Sequence, residues 1–219
     1  TADLDWQRID GMDVPICKLF GQAYFSSNHA LLEARHVFLN GNDLSIRLAK
    51  LADFEYFSIA ETSFGTGLNA LALWQMWQQL RPNNHSHLHL ISVEKYALTK
   101  VDFIRAAKVW PELQPLAQQL LQQYPLPIAG CHRLDFPAER FSIDLWLGDA
   151  NEVFPVIAKT KAVDAWFLND FSASYHTDIW QKNFLSHIIR LSDDGTTFAS
   201  CSVTDILKQS LSEHGILIA

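Results

Sequence analysis

Along the chain, short unbroken apolar runs alternate with stretches whose apolar residues recur every three or four positions. The runs at 57–61, 88–93, 141–147, 163–168 and 196–201 are short and rich in aromatic and β-branched residues. Such runs predict strands buried on both faces. Between the first two, Leu68, Leu71, Ala72, Trp74 and Met76 predict a helix over 68–80. Thr99-Lys-Val-Asp102 has the spacing of a capping box, with Asp in place of Glu, and opens a helix to about Val109. Pro111 breaks it, and a second helix is predicted over 112–124. Further helices are predicted over 151–159, 178–190 and 203–214, and 215–219 begins a last strand.

Strands alternating with helices give an α/β fold, a mostly parallel twisted sheet with helices on both faces. The first part of the chain breaks that rhythm. Tyr24-Phe25 and His36–Leu39 read as short strands, and Asn40-Gly-Asn-Asp43 as a turn. We therefore expect an N-terminal β extension over 1–56, packed on a main domain over 57–219.

Composition narrows the class of protein. Hydrophobic residues make up 48% and charged residues 19% of 219 positions, which excludes a disordered chain. No apolar run reaches the ~18 residues of a membrane span, and no signal peptide is legible at the first residues. The first residue is Thr rather than Met, so the natural start is expected upstream. Cys17, Cys131 and Cys201 lie far apart, with no Cys-x-x-Cys pair, which predicts reduced thiols in a cytoplasmic protein. The net charge of −7 leaves no basic run for a nucleic-acid footprint; Arg133 and Arg140 are the local candidates. His85, His87 and His89 alternate, but no Cys or acid completes a metal set, so no metal is expected.

Ligands of such sheets bind beyond the carboxyl ends of the strands. Four strand ends therefore matter. The first is Glu61-Thr-Ser-Phe-Gly65-Thr-Gly67-Leu-Asn69, a glycine turn leading into a helix whose first N–H groups are free. Gly65-x-Gly67-x-x-Ala70 also fits a dinucleotide fingerprint. Glu61 argues otherwise, because an acid there repels a pyrophosphate and suits a cationic ligand group. The second strand end places Glu94 to accept ribose hydroxyls. The third, Gly148-Asp149-Ala150, suits the exocyclic amine of adenine. The fourth, Asn169-Asp170-Phe171, is where reacting groups belong.

Several segments carry a specific resemblance: Tyr24-Phe25-Ser26, Val37-Phe-Leu-x-Gly-Asn42, Glu61-Thr-x-Phe-Gly-Thr-Gly-Leu-Asn69, Ser92-Val-Glu-Lys95, Trp110-Pro-Glu-Leu113, Gly148-Asp-Ala150 and Asp164-Ala-Trp-Phe-Leu168. Together they resemble the methyltransferase domain of the bacterial MnmC family, the tRNA 5-methylaminomethyl-2-thiouridine biosynthesis bifunctional proteins. The resemblance runs from about Trp6 to the end. It implies a Rossmann-like class I methyltransferase that uses S-adenosyl-L-methionine. The methyl acceptor it implies is the amine of 5-aminomethyl-2-thiouridine at the tRNA wobble position. Its cofactor set here is Glu61, Ser63, Gly65, Gly67, Leu68, Asn69, Glu94, Lys95, Asp149 and Ala150, with Asn169 and Asp170 as the catalytic pair. Members often continue into an FAD-dependent oxidase domain; nothing in this chain encodes that domain, so no FAD site is expected.

Two departures stand out. The family's Trp-Phe-Leu-Asp-Gly-Phe reads Trp166-Phe-Leu-Asn169-Asp170-Phe171, and the following loop, Ser172 to Trp180, lacks the family's Pro and Lys. The family also has a terminal strand hairpin, so the C-terminus reads as truncated. An Asn can orient an amine but cannot act as a base, which predicts intact cofactor binding with altered or weak catalysis. The competing readings are an inactive cofactor- or tRNA-binding module and a nicotinamide-dependent oxidoreductase.

Overall fold

Asp10 and Gly11, at φ of 49° and 80°, close a hairpin between β1 (Leu4–Ile9) and β2 (Met12–Cys17). Both turn positions need positive φ, which Asp tolerates and Gly prefers. A short β3 (Gln22–Ala23) adds antiparallel to β2. These elements belong to a computed structural model that describes residues 1–25, 29–169, 182–202 and 205–216.

The β extension is thus present, but its strands lie earlier than the sequence predicts. Tyr24-Phe25 follows β3 outside any strand, and His36–Leu39 is helical. Helix α1 (Ala30–Ala34) runs directly into a π-helical segment, Arg35–Asn40. The β-branched and aromatic run that mimics a strand there serves burial on one helical side. Phe38 and Leu39 are buried, and the Phe38 ring lies 5.3 Å from that of Phe167. Asn40–Asp43 is a turn as predicted, with Asp43 left-handed at φ 52° before α2 (Leu44–Ala49).

Asn42 ties this segment down. It is fully buried; its Nδ2 donates to the carbonyls of Phe38 (2.9 Å) and Trp166 (3.2 Å), and its Oδ1 accepts from Thr197 Oγ1 (2.6 Å).

The main sheet has six strands in the order β6-β7-β5-β4-β8-β9. These are β4 (Tyr56–Glu61), β5 (His87–Glu94), β6 (Gly130–Phe136), β7 (Phe141–Leu147), β8 (Ala165–Leu168) and β9 (Thr197–Ser200). All neighbours are parallel except β6, which pairs antiparallel with β7. One face packs on the N-terminal helices with α3 (Leu68–Leu80), α4 (Lys100–Ala107) and α5 (Gln114–Gln123). The other packs on α6 (Ala150–Val156), α7 (Lys182–Arg190) and α8 (Asp205–Glu213). This is a Rossmann-like α/β architecture.

Local signals hold where chemistry is explicit. Thr99 caps α4, its Oγ1 accepting from Asp102 N at 3.1 Å. Pro111 opens a 3₁₀ turn, Pro111–Leu113, before α5. The sequence reading omits β6, and its start of α7 at 178 lies outside the described residues. Gly215 and Ile216 are not in a strand, and the rest of the strand expected over 215–219 is likewise outside. Trp74, Trp77 and Trp110 are core residues. His87 Nε2 and His89 Nδ1 both meet Ser142 Oγ at 2.8 Å, so these histidines are tied into the sheet. No group of three metal-ligating side chains meets among the described residues. Cys17, Cys131 and Cys201 are free thiols. No described helix is long and apolar enough to cross a membrane.

Candidate functional site

Strand order reverses at β4: β5 and β7 follow on one side, β8 and β9 on the other. The loops leaving β4 and β8 must therefore part, and the crevice between them is where parallel sheets bind ligands. The loop after β4 straddles it. Thr62 N donates to Phe167 O (3.2 Å) on one side, and Phe64 N to Val93 O (2.9 Å) on the other.

Within this loop Gly65 and Gly67 take φ of 56° and 74°. Gly67 is the N-cap of α3, with no side chain to cap it. The first amides of α3 are thus left to whatever lies above them.

Glu61 ends β4 beneath the loop and is fully buried. Its Oε1 accepts from Ser92 Oγ at 2.6 Å, whereas Oε2 makes no hydrogen bond of standard geometry. Burial raises the carboxyl to about 8, against the opposing pull of Ser92 and Asn69. A buried carboxylate oxygen without a partner is costly unless a ligand supplies one.

Glu94 has a different task. Its Oε2 accepts from Gly65 N (2.7 Å) and Ser63 Oγ (3.3 Å), and its Oε1 from Tyr96 N (2.7 Å). It pins the glycine loop to the end of β5. Burial still raises its pKa, with these hydrogen bonds opposing.

Asp149 caps α6 through Asn151 N (2.9 Å) and pairs with Lys95 Nζ at 2.6 Å. Burial opposes its ionisation, but Lys95 and the Asn151 donors outweigh it and the pKa falls. Ala150 is the first residue of that helix.

Asn169, just past β8, joins the same crevice. Its backbone oxygen accepts from Thr62 Oγ1 (2.6 Å), and its Nδ2 donates to Ser63 O (3.3 Å). Its Nδ2 is thereby committed to the loop after β4. Asp170 and the loop after it lie outside the described residues.

A cavity of about 240 Å³ opens between the glycine loop, Asn169 and the N-terminal segment. Ser63, Gly65, Leu68, Asn69 and Asn169 line it, and so do Tyr24, Phe25 and Glu33. Sequence reasoning found the first group through strand ends and glycines. It did not single out Thr62, Tyr24 or Glu33, although Thr62 and Tyr24 lie within segments that carry the resemblance. Arg133 and Arg140 are elsewhere. Arg133 pairs with Asp144 on the β6–β7 edge, and Arg140 binds the carbonyls of Pro82 and Ser86 at the amino end of β7.

Residues 111–219 match a family described as S-adenosyl-L-methionine-dependent methyltransferase. Across its whole length the chain is 62% identical to the tRNA 5-methylaminomethyl-2-thiouridine biosynthesis bifunctional protein MnmC of Acinetobacter baylyi. This chain is thus similar to the methyltransferase domain of MnmC. A second relative of that name, from Psychrobacter cryohalolentis, is 43% identical over 99% of the chain. The chain spans about a third of these relatives, 35% and 33% of their lengths. The crystal structure of MNMC2 from Aquifex aeolicus shares the fold. It superposes with a TM-score of 0.78 at 22% identity, covering 98% of this chain and 65% of that one. The family is a family of enzymes, and its cofactor is S-adenosyl-L-methionine.

Proposed function

We propose that this chain transfers a methyl group from S-adenosyl-L-methionine to the primary amine of 5-aminomethyl-2-thiouridine at the tRNA wobble position. The observation that carries the reading is Glu61, fully buried beneath the glycine loop with one oxygen unpartnered. That oxygen fits the cationic methionine end of the cofactor. It does not fit a pyrophosphate, which disfavours the nicotinamide reading.

On this proposal Glu61 and Asn69 hold the methionine end, and the backbone of Gly65, Gly67 and Leu68 lies against it. Glu94, with Ser63, presents lone pairs to the ribose hydroxyls. Asp149, held by Lys95, and Ala150 take the adenine. Bound there, the cofactor supplies an electrophilic methyl group. Asn169 Oδ1 accepts an N–H of the neutral amine and aims the amine lone pair at that methyl. Holding the reactants in line is the larger part of the task for such a displacement. The tRNA, and an FAD-dependent oxidase in the remaining length of the whole protein, are its partners on this reading, in the cytoplasm.

The test is titration calorimetry with S-adenosyl-L-methionine, followed by single-turnover transfer of labelled methyl to tRNA carrying the 5-aminomethyl group. Label on the wobble uridine is expected, and none with tRNA that lacks the amine. Cofactor binding without label would reject the substrate; no binding would reject the site. Asn169→Ala should slow single turnover by roughly 10- to 100-fold, with cofactor affinity changed by less than about threefold. An unchanged rate would remove Asn169 from the reaction.

Cofactor affinity should also depend on pH. In the free protein Glu61 stays protonated up to about 8. A cationic ligand prefers the carboxylate, so binding at lower pH must expel that proton. Affinity should tighten by up to about tenfold per pH unit from about pH 6 to about pH 8, then level off. The same group acts on the free fold with the opposite sign. The unfolded chain releases this proton at the ordinary Glu value, so the contribution to stability is lost as pH rises toward 8. Calorimetry in buffers of different ionisation enthalpy reads the released proton, and its absence would reject the assignment.

A further inference from the structure

The wall of the cavity beside Asn169 includes a carboxylate that lies outside the family motifs. Helix α1 brings the exposed Glu33 to it. Among the described lining residues Glu33 is the sole carboxylate. Glu61 and Glu94 do not line this cavity; they lie beneath and behind the loop, and both oxygens of Glu94 are engaged. The Cys201 thiol, which also lines the cavity, is pushed up to about 11, first by burial and then by Glu33. Arg35, the nearest cation on the same stretch of helix, is held at 2.6 Å by Glu112 and turned to Gln75. Arg35 is thereby engaged away from Glu33.

We infer that Glu33 is the carboxylate that faces the acceptor amine, selecting an amine over a neutral hydroxymethyl group and stabilising the charge that develops on nitrogen. This rests on the amine methyltransferase reading above. In the step itself the neutral amine forms the N–C bond as the C–S bond breaks. The bonding pair goes to sulfur, and the positive charge moves from sulfur to nitrogen. The methylated ammonium then loses its proton to solvent. Asn169 can orient that nitrogen but carries no charge. A carboxylate on the cavity wall supplies the charge where it is needed.

The experiment compares the chain with Glu33→Gln and Glu33→Asp, measuring single-turnover methylation of 5-aminomethyl tRNA against pH and cofactor affinity by calorimetry. For Glu33→Gln the limiting rate should fall by roughly 30-fold or more, with the cofactor dissociation constant within about twofold. The rate should rise with pH as the bound amine deprotonates. Loss of the carboxylate should move that rise to lower pH by about one unit, because the ammonium form loses its partner. Glu33→Asp should recover most of the rate. A rate within about threefold of the parent with an unmoved pH profile would overturn the inference while leaving the amine reading intact. So would a loss of cofactor affinity in parallel with rate, which marks a structural role. A parent chain that binds cofactor but methylates no amine would overturn the amine reading and this inference with it.

Discussion

Glu61→Gln should weaken S-adenosyl-L-methionine binding by roughly 100-fold at about pH 8 while leaving the cofactor-free protein as stable as before, or more so. The two signs come from one cause. The Glu61 carboxyl is fully buried, and only its Oε1 has a donor, Ser92 at 2.6 Å. In the free protein an ionised carboxylate there is a burden, which is why its pKa climbs to about 8. With a cationic ligand above it, the same carboxylate is half of a desolvated ion pair. Removing one partner of such a pair costs about 3 kcal/mol or more. The amide keeps the shape and the Ser92 contact, removes the charge, and should abolish the rise of affinity with pH. Thermal unfolding and calorimetry on the same samples decide it. A fall in melting temperature together with affinity would mean that Glu61 is a structural residue only.

The second large effect is Gly67→Val, which should lower the melting temperature by about 8 °C or more through a loss of about 3 kcal/mol. Gly67 sits at φ 74°, where a β-branched side chain is strained. A Cβ there would stand 3.0 Å from both Phe103 and Phe64 ring carbons, and those rings are buried in the core. Neither ring can yield without moving α4 or the loop. Gly65→Ala is the control: at φ 56° it too is strained, but its nearest neighbour is Tyr24 at 3.7 Å. It should cost about 1–2 kcal/mol, with a larger proportionate effect on cofactor affinity. A Gly67→Val protein that melts within about 3 °C of the parent would show that the loop relaxes freely.

The parallel core of this fold is legible in the sequence because its strands are buried on both faces and write themselves as continuous apolar runs. Phe141–Leu147 and Leu68–Leu80 are found at their full extent. Strand β6 is not legible. Its residues Cys131, Arg133 and Asp135 face solvent at the sheet edge, and the buried Leu134 and Phe136 are too few to mark a strand. The hairpin at Asp10-Gly11 had a turn signal, but β1 alternates with only shallow burial. His36–Leu39 misleads for the opposite reason: β-branched and aromatic residues there answer to packing against Phe167, not to strand pairing. The site divides the same way. Residues at strand ends are found by topology. Glu33 is invisible because it approaches from a different part of the chain.

Asn42 gives that approach a practical meaning. Cutting the chain just before β4 looks harmless on paper, since the glycine loop and all the acids of the sheet would remain. Yet Asn42 satisfies Trp166 O and Thr197 Oγ1 from inside the protein, one of them the carbonyl of a fully buried sheet residue. Such a cut would strip one wall from the cavity and strand those polar groups at once. For anyone building a minimal methyltransferase or a fusion from this chain, the join belongs ahead of β1. The helices over 30–49 are part of the tool, not its handle.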